Sequence, residues 1–350
     1  MSSCLMLVSP SSNRVYQQAA PQLAAAELAV TTTPSIIAEQ VSVAGVDYLA
    51  FDAEPDALTG LGGQSSAMAL FERTGDLLRP VELVRHEAMD SDLLTIPKYQ
   101  GKTNELFTRL LLHVTTSQVR TGRAQLSVLD PLAGRGTTLL AAWTSGMNAY
   151  GVEVDEHSFE QFAAYLKGYL RRKRLKHSAD ISPVRREGRM IGRRFDAEVR
   201  PAETTHGHPG LPGAPELGLT FFTGDTADSG RLFGKKKFDA IVTDAPYGVV
   251  HGSARRGSSR QHTATAKQLD RSPAELLVRA VPVWASLLRP GGALGVSWNT
   301  YGLTHDEFAA ICTDAGLQVC QQGSWLGFAH RVDSSIKRDI LVALAPGQPD

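Results

Sequence analysis

Short apolar runs alternate with helical patterns along the C-terminal three quarters of the chain. Five runs are typical of buried strands: Leu126–Leu129, Ala149–Val154, Leu219–Thr223, Phe238–Thr243 and Ala293–Trp298. Four segments have apolar residues at helical spacing: Asn104–Thr115, Thr137–Trp143, Phe159–Leu170 and Ala274–Leu288. This alternation predicts an α/β fold with a mostly parallel, Rossmann-like sheet covered on both faces. Val319–Trp325 and Asp339–Leu344 have no long helix between them and predict a closing antiparallel hairpin.

The first ninety residues have a weaker pattern. Cys4–Val8 and Val41–Phe51 are strand-like, whereas Val15–Val30 is Ala-rich and helix-like, with Pro21 expected to interrupt it. Ser66–Glu72 is also predicted to be helical. We therefore expect a small α+β domain over residues 1–90, a candidate for substrate recognition, followed by the main domain over 91–350.

Residues 171–218 are too many for an ordinary connection between a strand and a helix. Between Arg171 and Arg200 the chain has eleven basic and four acidic residues, a net charge of +7. Two interpretations are open for this basic insertion, a solvated surface segment or an arm that contacts phosphates.

Composition narrows the class of protein. The 350 residues are 42% hydrophobic, which excludes a wholly disordered chain, and 36 basic residues balance 36 acidic ones, which excludes a histone-like protein. Three cysteines cannot form a disulfide framework or a four-cysteine zinc site. No apolar run approaches the roughly 18 residues that span a bilayer, and Met1–Pro10 lacks the basic residues of a secretory signal. We expect a reduced, cytoplasmic protein without a metal site or membrane contact.

A glycine-containing loop follows the first predicted strand of the main domain. Gly134 and Gly136 lie between Asp130-Pro131 and the helix that begins near Thr137, where they allow a tight turn and close approach of a ligand. Leu139 stands where a nicotinamide dinucleotide fingerprint has its third glycine, and no Gly-Lys-Ser/Thr follows to hold a triphosphate. An ordinary glycine turn is the alternative.

Acidic residues follow the next strands. Glu153, nineteen positions after Gly134, is placed to accept both hydroxyls of a ribose, with Asp155 as the alternative. Asp225 follows the third strand, where it could accept from an adenine amino group or cap a helix. Ribose and adenine contacts without a triphosphate site indicate S-adenosylmethionine as the cofactor.

The sequence Thr243-Asp244-Ala245-Pro246-Tyr247-Gly248 ends another predicted strand. A carboxylate and a backbone carbonyl that accept the hydrogens of an exocyclic base amine favour its pyramidal, nucleophilic form. Asp244 supplies the first acceptor and the carbonyl of Ala245 or Pro246 the second, while Pro246 stiffens the turn. Tyr247 offers a stacking face for an extruded base. The alternative is a plain turn, which Asp-x-Pro-Tyr also favours.

These motifs resemble the class I S-adenosylmethionine-dependent methyltransferases, and within them the RNA guanine-N2 methyltransferases often joined to a THUMP domain. The matching segments are Asp130-Pro131-x-x-Gly134-x-Gly136-Thr137, the family's cofactor loop, and Thr243-Asp244-x-Pro246-Tyr247-Gly248, its Asp-Pro-Pro-Tyr/Phe-Gly motif. Tyr99–Asn104 resembles the segment that flanks the methionine part of the cofactor. Ala245 departs from the usual proline, and the N-terminal region does not resemble a THUMP domain.

The resemblance implies N-methylation of a nucleic-acid base, with RNA favoured over DNA and guanine N2 over other amines. It assigns catalysis to Asp244, Pro246 and Tyr247. It assigns cofactor binding to Tyr99, Asp130, Pro131, Gly134, Gly136, Thr137, Glu153 and Asp225. The alternatives are a DNA adenine or cytosine amino-methyltransferase, a glutamine methyltransferase, whose motif usually begins with Asn, and a non-catalytic cofactor-binding or RNA-binding module.

Overall fold

The computed structural model describes residues 2–347 apart from 12, 86, 100, 187, 202–203, 206–207, 210–214 and 248–272. The strands are β1 (Ser2–Val8), β2 (Glu39–Val43), β3 (Val46–Ala53), β4 (Ala67–Thr74), β5 (Leu77–Val81), β6 (Ser127–Asp130), β7 (Asn148–Glu153), β8 (His177–Arg186), β9 (Arg189–Val199), β10 (Thr204–Thr205), β11 (His208–Pro209), β12 (Leu217–Thr223), β13 (Phe238–Asp244), β14 (Leu288–Asn299), β15 (Gln318–Cys320), β16 (His330–Arg331) and β17 (Lys337–Leu344). The helices are α1 (Arg14–Thr31), α2 (Pro55–Leu58), α3 (Asp92–Thr95), α4 (Glu105–Thr116), α5 (Thr137–Thr144), α6 (Glu156–Arg172), α7 (Ser229–Phe233), α8 (Pro273–Leu287) and α9 (His305–Asp314). Gly248 of the Asp244 motif lies outside the described residues.

The main sheet confirms the predicted Rossmann-like fold. Its strand order is β15-β17-β14-β13-β6-β7-β12-β9-β8, and the five strands from β14 to β12 are parallel. β17 runs antiparallel to both β14 and β15, as the closing hairpin predicts. Val128 and Leu129, neighbours on β6, belong to different hydrophobic clusters, so both faces of the sheet are covered.

The strand order reverses between β6 and β13. From β6 the chain moves outward through β7 to β12, and it then returns to β13 on the other side of β6. In open parallel sheets, ligands bind outside the carboxyl ends of the strands at such a reversal. Asp130 and Asp244 are the last residues of these two strands, and the fold therefore places both carboxylates at this crevice.

Much of the basic insertion belongs to the sheet. β8 and β9 form an antiparallel hairpin, and β9 pairs with the parallel strand β12, which lengthens this edge of the sheet by two strands. Phe195, Ala197 and Val199 on β9 are buried. β10 and β11 pair with each other and with no other strand among the described residues.

The N-terminal part is the predicted α+β unit, with a five-stranded antiparallel sheet in the order β2-β3-β1-β4-β5. The helix predicted for Ser66–Glu72 is wrong, because this segment forms strand β4 and pairs antiparallel with β1. The predicted interruption at Pro21 is also wrong, since α1 continues through it.

Helix α1 connects the two parts of the molecule. Tyr16, Ala20 and Leu23 are buried in the core of the main sheet, whereas Ala24 and Leu28 belong to the core of the N-terminal sheet. This packing tethers the N-terminal unit to the main sheet, and it brings the start of α1 close to the crevice described below. The division at residue 90 stays a prediction.

Candidate functional site

Asp130 is the buried acid at the start of the glycine loop. Its Oδ1 accepts hydrogen bonds from Leu132 N at 3.1 Å and from Thr243 Oγ1 at 2.7 Å. Complete burial raises the pKa of Asp130 to about 6, against the opposing effect of these hydrogen bonds. The group therefore changes charge close to neutral pH.

The two loop glycines have different roles. Gly134 and Gly136 both have positive φ angles, of 52° and 77°. A Cβ at Gly136 would lie 2.3 Å from the Phe162 ring, so this glycine allows close packing as well as the turn. A Cβ at Gly134 would meet no atom within 4 Å, which leaves space beside the loop.

Glu153 at the end of β7 holds this loop in place. Its Oε2 accepts from Gly134 N and its Oε1 from Asp155 N, each at 2.7 Å. Burial raises its pKa, and these hydrogen bonds counteract the shift. Asp155, the alternative ribose acceptor, caps α6 through Ser158 N at 2.9 Å. Asp225 is exposed and caps a short 3₁₀ helix through Ala227 N at 2.8 Å, as the helix-cap alternative predicts.

Asp244 is held at the end of β13 by two hydroxyl groups. Its Oδ2 accepts from Thr103 Oγ1 at 2.7 Å, and its Oδ1 accepts from the Tyr247 hydroxyl. Burial and the Asp244 carboxylate both raise the pKa of Tyr247 well above its usual value, so the phenol remains a donor. Ala245 is buried, with its N–H bonded to Ser297 O at 2.8 Å, and this bond fixes the backbone at the start of the turn.

Arg338 is a member of the site that sequence reasoning missed. It is only 6% exposed, and its Nη2 lies 3.7 Å from Asp244 Oδ2. Its guanidinium carbon lies 4.3 Å from the centroid of the Phe107 ring and 4.9 Å from that of Tyr247. The available signal was the basic pair Lys337-Arg338 directly before the apolar run predicted at Asp339–Leu344.

Most of the predicted site residues line one cavity of about 350 Å³. The sequence-predicted residues in its lining are Tyr99, Asp130, Gly134, Thr137, Asp244, Pro246 and Tyr247. The Tyr99 hydroxyl is hydrogen-bonded to Thr137 Oγ1 at 2.7 Å, and the Arg135 guanidinium covers the Tyr99 ring at 4.7 Å. Pro131, Gly136, Glu153 and Asp225 lie outside this lining in the described part of the chain.

A second cavity, of about 500 Å³, adjoins the first. The two share Gly101, Thr103, Pro246 and Tyr247, so the Asp244 turn forms the wall between them. The remaining lining comes mainly from the start of α1 and from residues 330–338. The arrangement is two adjoining spaces on either side of one aromatic turn.

No protein-family model and no curated protein matches the chain. Among solved structures, it is similar to TrmN from Thermus thermophilus, with 15% identity, a TM-score of 0.41, and coverage of 89% of this chain and 60% of that one. A methyltransferase from Pyrococcus furiosus has 14% identity, a TM-score of 0.39, and coverage of 71% and 88%. The rRNA methyltransferase aviRa from Streptomyces viridochromogenes has 13% identity, a TM-score of 0.39, and coverage of 73% and 93%. The chain thus spans about 60% of the length of the Thermus thermophilus protein.

Proposed function

We propose that this protein is an S-adenosylmethionine-dependent N-methyltransferase that acts on an exocyclic amine of a nucleic-acid base, with guanine N2 in RNA as the favoured target. The observation that supports this most is that the glycine loop and the Asp244 turn line one cavity at the reversal of the strand order. A binding module would need the loop alone, whereas the adjoining Asp244 turn supplies what amine methylation requires.

The first cavity fits the proposed cofactor. The buried Asp130 carboxylate is a suitable partner for an ammonium group, and the space beside Gly134 admits a ligand close to the backbone. Glu153 lies outside the lining of this cavity but bonds Gly134 N, which is part of it, and is proposed as the acceptor for the ribose hydroxyls. When bound, the cofactor supplies a methyl group activated by a sulfonium.

Asp244 can orient the amine and accept its hydrogen bond. The Tyr247 hydroxyl occupies Asp244 Oδ1, and an incoming N–H would replace it as donor. A bound cofactor would supply the methyl group to this amine nitrogen, and Asp244 would hold the amine in line until the methylated product loses its proton to solvent. Thr103 and Arg338 keep the carboxylate in place throughout, so this chain contributes orientation and charge placement.

The remaining parts of the proposal concern substrate and compartment. The resemblance of the motifs favours RNA over DNA. The N-terminal unit is proposed to help bind the substrate, because Asn13 and Tyr16 line the second cavity. A cytoplasmic location is also part of the proposal. Burial raises the pKa of both Cys4 and Cys312, so these free thiols stay protonated. Among the described residues, no helix has the length and apolar character needed to cross a membrane.

Nucleoside mass spectrometry tests the proposal directly. RNA and DNA from cells with and without the gene should differ by one methylated nucleoside, and purified protein should restore it with labelled S-adenosylmethionine. N2-methylguanosine in RNA supports the full proposal, whereas a methylated adenine or cytosine in DNA supports the alternative enzyme. Cofactor binding without transfer to any nucleic acid would leave only the non-catalytic module.

A further inference from the structure

The second cavity is lined by a buried cation, Arg338, whose hydrogen bonds are only partly satisfied. Nε of Arg338 is buried and has no hydrogen-bond partner among the described residues. The nearest counter-charge, Asp244 Oδ2, lies 3.7 Å from Nη2, too far for a hydrogen bond. A buried donor without a partner is costly unless a ligand supplies an acceptor. Arg338 also lines this cavity, so its guanidinium lies beside a space for a ligand.

His330 adds an acceptor to the same cavity. Its ring is buried, lines the cavity and packs against Phe107 with centroids 5.4 Å apart. Nδ1 lies 2.9 Å from Phe328 O, and because a carbonyl only accepts, Nδ1 carries the proton. Burial lowers the pKa of His330, so the ring is neutral. The remaining nitrogen, Nε2, is therefore an acceptor.

We infer, as an extension of the proposed function, that Asp244, His330 and Arg338 together read the base-pairing edge of guanine. That edge presents, in order, the donor N2–H, the donor N1–H and the acceptor O6. The Asp244 carboxylate accepts from the 2-amino group, His330 Nε2 accepts from N1–H, and Arg338 donates to O6. Adenine and cytosine present a ring-nitrogen acceptor next to their amine, which faces the His330 lone pair and leaves it without a donor.

Single-base RNA oligonucleotides test this inference. Each of four RNA decamers consists of uridine with one other nucleotide, which carries guanine, 2,6-diaminopurine, adenine or cytosine. Uridine forms the background because it has no exocyclic amine. The diaminopurine retains the 2-amino group but has an acceptor at N1 and a donor at position 6. Single-turnover transfer to the 2-amino group, identified by mass spectrometry, should be at least about 10²-fold faster for guanosine, because the site's polar groups reject the mismatched edge.

Substitutions then show which residues discriminate guanosine from 2,6-diaminopurine. Arg338→Met should reduce the guanosine-to-diaminopurine ratio by about tenfold or more, as should His330→Phe, while the surface control Arg231→Met should leave it unchanged. The ratio isolates base reading, because any effect on the chemistry of the 2-amino group is common to both substrates. If the Met variant does not bind cofactor, Arg338→Lys replaces it in this experiment. This variant keeps the positive charge but loses the planar, forked set of guanidinium donors.

The outcomes separate the inference from the function on which it rests. Equal wild-type rates for guanosine and diaminopurine would overturn the base-reading inference and leave amine methylation standing. Faster transfer to the adenosine or cytidine decamer than to the guanosine decamer would also overturn the base-reading inference, and it would also leave amine methylation standing. Transfer to none of the decamers would overturn both.

Discussion

Thr243 Oγ1 donates a hydrogen bond to Asp130 Oδ1 at 2.7 Å across the neighbouring strands β13 and β6. This bond joins the acid of the glycine loop to the residue directly before Asp244. The two halves of the proposed reaction, cofactor binding and amine orientation, are therefore fixed relative to each other by two adjacent parallel strands. A rigid relationship of this kind suits an in-line transfer, whose rate depends on the placement of both reactants.

Asp130 should make cofactor binding dependent on pH. Its pKa is raised to about 6, so the carboxyl gains a proton and loses its charge as the pH falls through that value. The ammonium group of the cofactor has a pKa of about 7.7–8.0 and therefore keeps its charge at pH 6. Affinity for S-adenosylmethionine should therefore fall as the pH decreases from 7 to 5, approaching tenfold per unit below about pH 6. Calorimetric titration should show that Asp130→Asn binds weakly at both pH values, and an unchanged slope in this variant would exclude Asp130 as the source.

Glu153→Ala should weaken cofactor affinity by about 1–3 kcal/mol, the range for losing charge-assisted hydrogen bonds. The structure adds a second cause, since the substitution also releases Gly134 N from its 2.7 Å hydrogen bond. The control is Asp155→Ala, which removes the cap of α6 and should cost about 0.5–2 kcal/mol of folding stability without changing affinity. The reverse pattern in calorimetry would assign the ribose contact to Asp155.

The strands that were predicted best are those whose pattern of apolar residues directly reflects how the folded sheet buries them. β6 and β13 are continuous apolar runs because both of their faces are covered, and both were predicted to within a residue or two. The segment Ser66–Glu72 was mistaken for a helix. Its buried residues, Ala67 and Leu70, are three positions apart, a spacing that also fits a helix, and it became a strand through pairing with β1, a tertiary contact that local pattern does not encode.

The site residues also divide into those that the local sequence predicted and those that depend on the folded sheet. Asp130, Gly134, Asp244 and Tyr247 were predicted because they lie in local motifs at strand ends. The more distant partners of Asp244 were not, because Thr103 lies 141 positions before it and Arg338 reaches it from the strand two places away in the sheet. Only the folded sheet order brings such residues together.

The basic insertion should contribute to nucleic-acid affinity through only part of its charge. Lys173 is paired with Asp90 and Asp92, each at 2.7 Å, and Arg193 with Glu160. The exposed cations at the end of α6 are the better candidates for phosphate contacts: Arg171, Arg172 and Arg174. Neutralising all three to Gln should weaken RNA binding and reduce its salt slope by about 0.7–0.9 for each lost contact. Fluorescence anisotropy at several salt concentrations measures the RNA affinity and its salt slope. A slope equal to that of an Arg231→Gln control would show that these three arginines are solvated and do not contact phosphates.

Asp244→Ala should reduce turnover by roughly 10²–10³-fold, as for other preorganised transition-state hydrogen bonds. Cofactor affinity should change little, because the cofactor is expected to contact Asp130 and the glycine loop. Single-turnover transfer measures the loss, and Asp228→Ala, an exposed carboxylate paired with Arg231, is the matched control. Transfer at the native rate in Asp244→Ala would contradict amine methylation regardless of what the loop binds.

Tyr247 separates the contribution of a ring from that of a hydroxyl. Tyr247→Ala should weaken retention of the extruded base by about 1–3 kcal/mol, the effect of one lost stacking contact, and it should also uncover one face of the Arg338 guanidinium. Tyr247→Phe keeps the ring and removes only the donor that occupies Asp244 Oδ1. Because the substrate amine must replace that donor, the Phe variant should transfer methyl groups at least as fast as the native protein. Single-turnover rates at several RNA concentrations separate the two effects, and a large loss of rate in Tyr247→Phe would show that the hydroxyl holds Asp244 in its working position.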